Sequence, residues 1–465
     1  MQNQNNSPKK NGENRRGFMK KGAAATAATA LVSPFGSPVY GDTKAPSTGR
    51  VLGANDRIRV AHIGVGGQGQ AHCNIVSQNA AANNVEQVAV CDVSKSRIDQ
   101  ARAKIQNNIP GAKLTGYEDH RELLEKEDVD AIICATVDHW HTPISCDAME
   151  SGRDVYVEKP MTRYLGEAFK IHDTCKETGR LVQVGSQGCS AAKYHKAAEL
   201  IQDGAIGPLV LGQTSYMRNN PKGEWNYPIR EWASKSDMNW DRWIEPVHKK
   251  IEFSPDHYFR WRKYYPYCAG LLGDLLPHLL HPFMLATGKP EFPSRVVSLG
   301  SKTWRTDQNT PGTPERDVDE SVQLIAEFPS GFNLMCASAT VNETGMQEMI
   351  RGHHGTIYMG GLGGTDLKLR PERRFADEID PEDFNNLQPG EHIGHHEKNF
   401  FDCIRSRKEP NAGIDLAVRV QTVISLAEMS DRLNVMCMFD EKTRTITTAD
   451  GKKLKPLTYG SMDLS

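Results

Sequence analysis

No stretch of this 465-residue chain approaches the ~20 consecutive apolar residues of a spanning helix, which argues against a helical membrane span. No two cysteines are spaced as CxxC, and ten cysteines over this length are too sparse for a disulfide scaffold or a zinc ribbon. An excess of one charge is missing too. Lys and Arg number 56 against 58 Asp and Glu, a formal net charge of −2. The basic footprint that nucleic acid or an anionic membrane surface selects is therefore absent. What remains is the composition of a globular protein: 38% hydrophobic residues, 40 glycines and length for two or three domains.

The first fifty residues read as an address. Asn14-Arg15-Arg16-Gly17-Phe18-Met19-Lys20-Lys21-Gly22 precedes a mild Ala/Thr stretch over residues 23–32, with Val39 and Gly41 at cleavage-site positions. The paired arginines and weak hydrophobicity resemble a twin-arginine export signal. Residues 1–41 are thus expected to be a signal peptide read by the twin-arginine export machinery, and 42–56 a linker. The protein is then periplasmic or otherwise exported. A disordered basic tail is the alternative. The twin-arginine route carries folded proteins, so thiols formed in a reducing cytoplasm stay free. Cys91 and Cys134 lie in apolar runs, where cysteine behaves as a small hydrophobe.

Residues 57–65 form a β-rich run opening into Gly64-Val65-Gly66-Gly67-Gln68-Gly69, a GxGxxG followed by a helical stretch. The first glycine allows the tight turn, the second admits pyrophosphate to the backbone, and the third lets helix pack on strand. Free N–H groups at the helix start face the phosphates. In a glycine-rich chain the motif alone is weak, but its context strengthens it. Val88-Ala89-Val90-Cys91 reads as a second strand ended by Asp92, 23 residues after Gly69. An acid there binds ribose hydroxyls and repels a 2′-phosphate, favouring NAD; Arg97 nearby keeps NADP open. Further strands at 130–136 and 154–157 alternate with helices, which predicts a doubly wound parallel sheet.

At Glu158-Lys159-Pro160 a family pattern emerges. With GxGxxG, Asp92, the Ala135-Thr136…His139-Trp140-His141 loop and Gly270-Leu271-Leu272-Gly273-Asp274-Leu275-Leu276-Pro277-His278, the chain resembles the Gfo/Idh/MocA oxidoreductases over about residues 57–440. These are sugar and cyclitol dehydrogenases related to glucose–fructose oxidoreductase and inositol dehydrogenase. The resemblance implies an α/β fold: a Rossmann domain over 57–180, then an α+β domain with a large, mainly antiparallel sheet over 181–445, and a tail over 446–465. It implies Lys159, Asp274 and His278 as catalytic groups. Gly64, Gly66, Gly67, Gln68, Gly69, Asp92, Thr136, His141, Glu158 and Lys159 would then surround the cofactor. Removing a hydride from a carbinol needs a base for the hydroxyl proton, for which histidine is suited, and a lysine can stabilise the developing alkoxide. Singly, each has a structural reading: Asp274 as a helix cap, Lys159 as a turn residue, His278 as a core histidine. At i and i+4, Asp274 and His278 would share one helix face. His281 stands where the family often has Asp.

Residues 217–268 hold five of the seven tryptophans, with Arg218, Arg230, Arg242, Arg260 and Arg262 interleaved. Two readings are open. Aromatic faces and arginines form a saccharide cleft, or the aromatics anchor the loop. Trp140, Arg260, Trp261 and His281 are the expected substrate contacts. His139 and His141 form an HxH, but no third ligand is evident, so no metal is expected. The family's second sheet often meets a partner subunit, so a homo-oligomer is expected.

An exported NAD enzyme has no evident pool of nicotinamide, which suggests a cofactor retained through a redox-neutral cycle. The expected activity is an oxidoreductase acting on a sugar, cyclitol or glycoside. The alternatives are an NAD-dependent glycosidase and a non-catalytic sugar sensor on the same scaffold; a plain cytoplasmic dehydrogenase follows only if residues 1–41 stay uncleaved.

Overall fold

A computed structural model describes residues 57–459; the expected signal peptide and the whole of the linker lie outside the described residues. β1 (Ile58–Ile63), β2 (Val85–Cys91), β3 (Thr115–Tyr117), β4 (Ala131–Cys134), β5 (Asp154–Glu158) and β6 (Val182–Gly185) form a parallel sheet in the order β3-β2-β1-β4-β5-β6. β1, β4 and β5 are buried at nearly every position, as a parallel sheet covered on both faces requires. Between them run α1 (Gly67–Asn83), α2 (Lys95–Asn108), α3 (His120–Lys126), α4 (Asp138–Glu150) and α5 (Leu165–Thr178). The strand order reverses between β1 and β4, and the crevice at such a switch point is where ligands bind.

The expected boundary at 180/181 needs correction. β6 lies beyond it yet completes the first sheet, pairing Val155 with Val182 and Glu158 with Gly185. A short, fully buried apolar run reads alike in either sheet; only its pairing assigns it.

After α6 (Ala192–Gln202) the chain enters a twelve-stranded sheet through β7 (Leu209–Asn219). An excursion over residues 220–270 carries the short helices α7 (Trp240–Trp243) and α8 (Pro255–Phe259). It leads to α9 (Leu271–Asp274) and α10 (Pro277–Ala286). Then come β8 (Arg295–Ser301), β9 (Ser321–Glu327), β10 (Asn333–Ala339), β11 (Val341–Asn342), β12 (Met349–Gly352), β13 (Gly355–Met359), β14 (Leu367–Pro371) and β15 (Glu382–Phe384). Pairing is antiparallel throughout except between β7 and β10. Alternation marks a sheet with two unlike faces: Val322, Leu324 and Ala326 are buried, while Ile325 and, on β8, Val297 and Leu299 face outward.

Two late helices divide their allegiance. α11 (Ile393–Ser406) returns to the first domain, where Phe400, Phe401 and Ile404 join Ile58, Val60, Ile133 and Tyr156 in one apolar cluster. α12 (Ile414–Leu433) packs between β8 and α5. β16 (Cys437–Asp440), β17 (Thr445–Thr448) and β18 (Lys453–Leu454) then extend the second sheet. The expected tail over 446–465 is thus sheet at its start, because Ile446 pairs with both Phe439 and Leu454. All ten cysteines are buried and unpaired.

A buried ion pair clamps the loop after Lys159 to the second domain. Both terminal nitrogens of Arg163 donate to the Glu428 carboxylate at 2.7 Å, and Arg163 also donates to the Tyr265 carbonyl. Glu428 also accepts from Arg432 at 2.9 Å, so it keeps one cation if Arg163 is lost, whereas losing Glu428 leaves Arg163 buried without a counter-charge. Glu428→Leu should therefore cost about 3–5 kcal/mol of unfolding free energy in urea titration, and adding Arg163→Leu to it should recover part of that loss.

Candidate active site

One cavity of about 790 Å³ opens over the C-terminal ends of the parallel strands, at the upper end of the usual ~300–1,000 Å³ for small-molecule sites. Its floor is the glycine loop. Gly64 has φ +81°, and a Cβ there would lie 2.5 Å from the Thr136 backbone nitrogen. A Cβ on Gly69 would fall 1.9 Å from the Gly64 carbonyl oxygen, so only glycine lets α1 sit this close to the loop. Gly67 has open space where a Cβ would point and lines the cavity, as do Gly64, Gly66, Gln68, Thr136, Glu158 and Lys159. The first N–H groups of α1 have no intrahelical partner and form an anion site.

At the end of β2 the Asp92 carboxylate accepts from Val65 N (2.9 Å) and Ser94 N (3.0 Å). Burial pushes its pKa up, against the pull of Arg97. This combination of cradle, helix start and strand-end acid fits NAD.

The reacting end of the cavity is built on Asp274. Lys159 Nζ donates to its Oδ1 at 2.8 Å, Arg262 Nε to the same oxygen at 2.8 Å, and Trp225 Nε1 to Oδ2 at 3.0 Å. Burial opposes its ionisation, but Arg262 and then Lys159 hold it well below the ordinary range. His278 lines the same cavity, its ring edge-on to Tyr216 at 5.9 Å. Burial first and Lys159 second lower His278 to about 3, so it is a neutral imidazole at physiological pH.

Beneath this centre lies a buried charge relay. His72 on α1 donates from Nε2 to Glu158 (2.8 Å) and from Nδ1 to Glu397 of α11 (2.7 Å). Burial disfavours its charge, but the bonds to Glu158 and Glu397 raise it to about 10. The imidazolium in turn overcomes the burial of Glu158 and holds that acid at about 2. Gln68 also donates to Glu158, at 3.1 Å.

Several expected placements change. His141 does not line the cavity: it is buried in α4, donating from Nδ1 to the Pro160 carbonyl at 2.8 Å, and so supports the Lys159–Pro160 turn from behind. His281 is buried with Nδ1 bonded to Pro277 O, its carrier helix turning it into the core. Arg260 is held by Asp256 and the Tyr227 carbonyl, away from the lining. Gly69 acts beneath the loop rather than on the cavity wall. Trp140 and Trp261 do line it. Asp274 and His278 share the cavity, but not one helix, since α9 ends at Asp274 and Pro277 starts α10. His139 and His141 bond to different backbone carbonyls, and among the described residues no three His, Cys, Asp or Glu groups are placed to hold a metal ion.

The aromatic excursion packs on itself and also lines the cavity. Met238, Trp240, Trp243, Tyr258, Trp261 and Tyr267 pack as a small core of their own. Its outer residues, among them Tyr227, Trp232, Phe259 and Arg262, wall the cavity. It is stapled to the first domain by Asp237, whose carboxylate accepts from Ser94 Oγ (2.5 Å) and Ser96 N (3.0 Å), and by Asn239 N donating to Val93 O.

Sequence reading missed Arg262, His72, Glu397 and Asp138. Arg262 stood among five interleaved arginines with nothing to single it out, and Glu397 is 325 positions from its partner His72. Asp138 begins α4, lines the cavity and keeps a buried Oδ2 without a hydrogen-bond partner.

A family model described as an oxidoreductase family with an NAD-binding Rossmann fold matches residues 58–186. A glycosyl hydrolase family 109 protein of Shewanella baltica is 31% identical over 212 residues, 44% of this chain and 46% of that relative. An alpha-N-acetylgalactosaminidase of Shewanella oneidensis is 28% identical over 252 residues, 50% of this chain and 53% of the relative. The chain thus spans about half the length of these curated relatives. Among solved structures, an oxidoreductase domain protein of Kribbella flavida superposes with a TM-score of 0.64 at 18% identity, over 83% of this chain and 100% of that one. The aldose-aldose oxidoreductase of Caulobacter crescentus gives 0.61 at 20% identity, over 82% and 100%. At these identities the structural likeness establishes the fold.

Asp138 supplies a test of the site's electrostatics. Burial pushes it up to about 7; Arg262 draws it down and Asp274 pushes it further up. The folded protein thus holds a proton that the unfolded chain releases near the ordinary value of 3.8, so stability falls as pH rises from about 4 through about 7. Asp138→Asn should stabilise the protein by about 2–4 kcal/mol at pH 8, with the gain vanishing at pH 4. Paired thermal melts at the two pH values check it.

Proposed function

We propose that this chain, which belongs to the Gfo/Idh/MocA oxidoreductase family by its NAD-binding domain, removes a hydride from a ring carbon of a sugar, cyclitol or glycoside and later restores it. The observation that carries this reading is the meeting of Lys159, Asp274 and His278 in the cavity floored by the glycine loop. Bound NAD supplies a hydride acceptor that can also give the hydride back. The protein's part is positioning and proton handling. His278, neutral through burial, accepts the substrate hydroxyl proton at a ring nitrogen. Lys159 Nζ, fixed by the Asp274 side chain and carbonyl, donates a hydrogen bond to the oxygen as negative charge develops there. Asp274 acts as the anchor of that lysine rather than as a base, because Arg262, Lys159 and Trp225 occupy its oxygens.

Retention of the cofactor through the cycle is part of the proposal. The Asp237 staple ties the aromatic excursion to the loop that follows Asp92, so release would require the staple to part. Export through the twin-arginine route rests on residues 1–41 and accords with a cofactor loaded before export. A homo-oligomer through the outer face of the second sheet is supported by its exposed Val210, Val297, Leu299 and Ile325.

A second reading, glycoside cleavage, is favoured by the family 109 relatives. There the transient ring ketone acidifies the neighbouring C–H, the aglycone leaves, water adds and the ring is reduced back. Asp138, whose carboxyl burial pushes up to about 7, lines the same cavity and supports this reading as a source of a proton.

Nicotinamide absorbance and fluorescence of the purified protein test the proposal. Bound cofactor should survive gel filtration and respond to sugars or aryl glycosides; aglycone release without net reduction selects the glycosidase cycle. Protein that carries no nicotinamide, yet turns over only with added NAD, would overturn retention. Lys159→Met and His278→Asn should each lower kcat about 10²–10⁴-fold while the bound cofactor remains.

A further inference from the structure

Lys159, Arg218, Arg230 and Arg262 all line the cavity, Lys159 and Arg262 on Asp274 itself. Asp274 answers Lys159 and Arg262 together, and Glu224 answers Arg218 at 2.8 Å. Glu158, the other acid beside Lys159, shares the His72 imidazolium with Glu397. Asp138 also feels Arg262, which draws it down against the burial that pushes it up to about 7. Among the described residues, Arg262 and Arg230 keep donors free. Arg262 spends only Nε on Asp274, leaving both terminal nitrogens without a protein partner while its plane lies 4.2 Å over the Trp261 ring. Arg230 is exposed on the cavity wall, and its guanidinium has no protein partner among the described residues.

The cofactor's phosphates do not account for Arg262. Arg97 and the start of α1 serve that end, where a Cβ on Gly66 would lie 2.7 Å from the Arg97 guanidinium. Arg262 belongs to the opposite end, on Asp274 itself. A planar guanidinium held by Nε and presenting its terminal edge to a cavity suits a two-oxygen anion, which it binds with paired charge-assisted hydrogen bonds.

We propose that the substrate is an acidic sugar, whose carboxylate or sulfate group is bound by the free edge of Arg262 with Arg230 in support. This rests on the sugar-oxidising reading and narrows it to uronic acids or sulfated sugars and their glycosides. Trp261, whose ring centre lies 4.2 Å from the Arg262 guanidinium carbon, lines the same cavity.

Titration of tryptophan fluorescence in the purified full chain tests it. The probes are methyl glucoside, galactoside and mannoside, each beside its uronide and its 6-sulfate. Within at least one configuration the acidic member should bind roughly ten- to a hundredfold more tightly than the neutral one, the worth of a charge-assisted pair. The advantage should shrink as salt is raised. A preference for uronide over sulfate identifies the carboxylate as the group, and the reverse identifies the sulfate. Arg230→Gln should lower the acidic-to-neutral ratio about tenfold. Equal affinity for neutral and acidic members, or no response to any acidic one, overturns the inference. The parent reading fails separately: acidic sugars that bind tightly yet never change the nicotinamide absorbance refute hydride removal and leave the acidic site standing.

Discussion

The carboxylate of Asp274 is the point on which the two domains agree. Lys159 reaches it from the end of β5, Trp225 and Arg262 reach it from the aromatic excursion, and Asp274 itself ends α9. A buried carboxylate without partners would protonate rather than remain charged. Two cations and an indole N–H make ionisation the favoured state, and in doing so they fix three segments around one atom pair. The lysine is thereby aimed, while burial first and the cation beside it second keep the histidine neutral.

The same arithmetic of buried charge recurs below and behind the centre. His72 stays protonated because a carboxylate faces each ring nitrogen, and Arg163 is tolerated at full burial because Glu428 meets it in a fork. Both pairs join segments far apart in the chain. They hold the Lys159 turn from two sides: Glu158 precedes it in β5, and Arg163 follows it. The rigidity of that turn is electrostatic as much as apolar.

What could be read from the sequence depended on range. GxGxxG, the strand-end Asp92 and the alternation of strand and helix are local patterns, and they located the parallel sheet and its crevice. Lys159, Asp274 and His278 were reached through short motifs in a fixed order, and the cavity unites them. His141 and His281 sat in equally suggestive positions and failed, because the direction a helical side chain faces depends on what the helix packs against. Arg260, expected at the substrate, is held by Asp256 instead, while Arg262, two residues on, meets Asp274. Glu397 carried no signal at all. Its meaning lies in the return of α11 to the first sheet, a contact between residues at opposite ends of the described chain. The slip at 180/181 came from β6, whose four buried residues resemble a strand of either sheet.

That return of α11 bears on the order of events during synthesis. Phe400, Phe401 and Ile404 finish the apolar layer over β1 and β5, and Glu397 finishes the charge pairing of His72 under the glycine loop. The ribosome releases the parallel strands long before it releases these residues. A nascent chain that has made the whole nucleotide-binding motif therefore still lacks one wall of its first domain. The nucleotide site can mature only after α11 has emerged, when both domains are present to fold against each other.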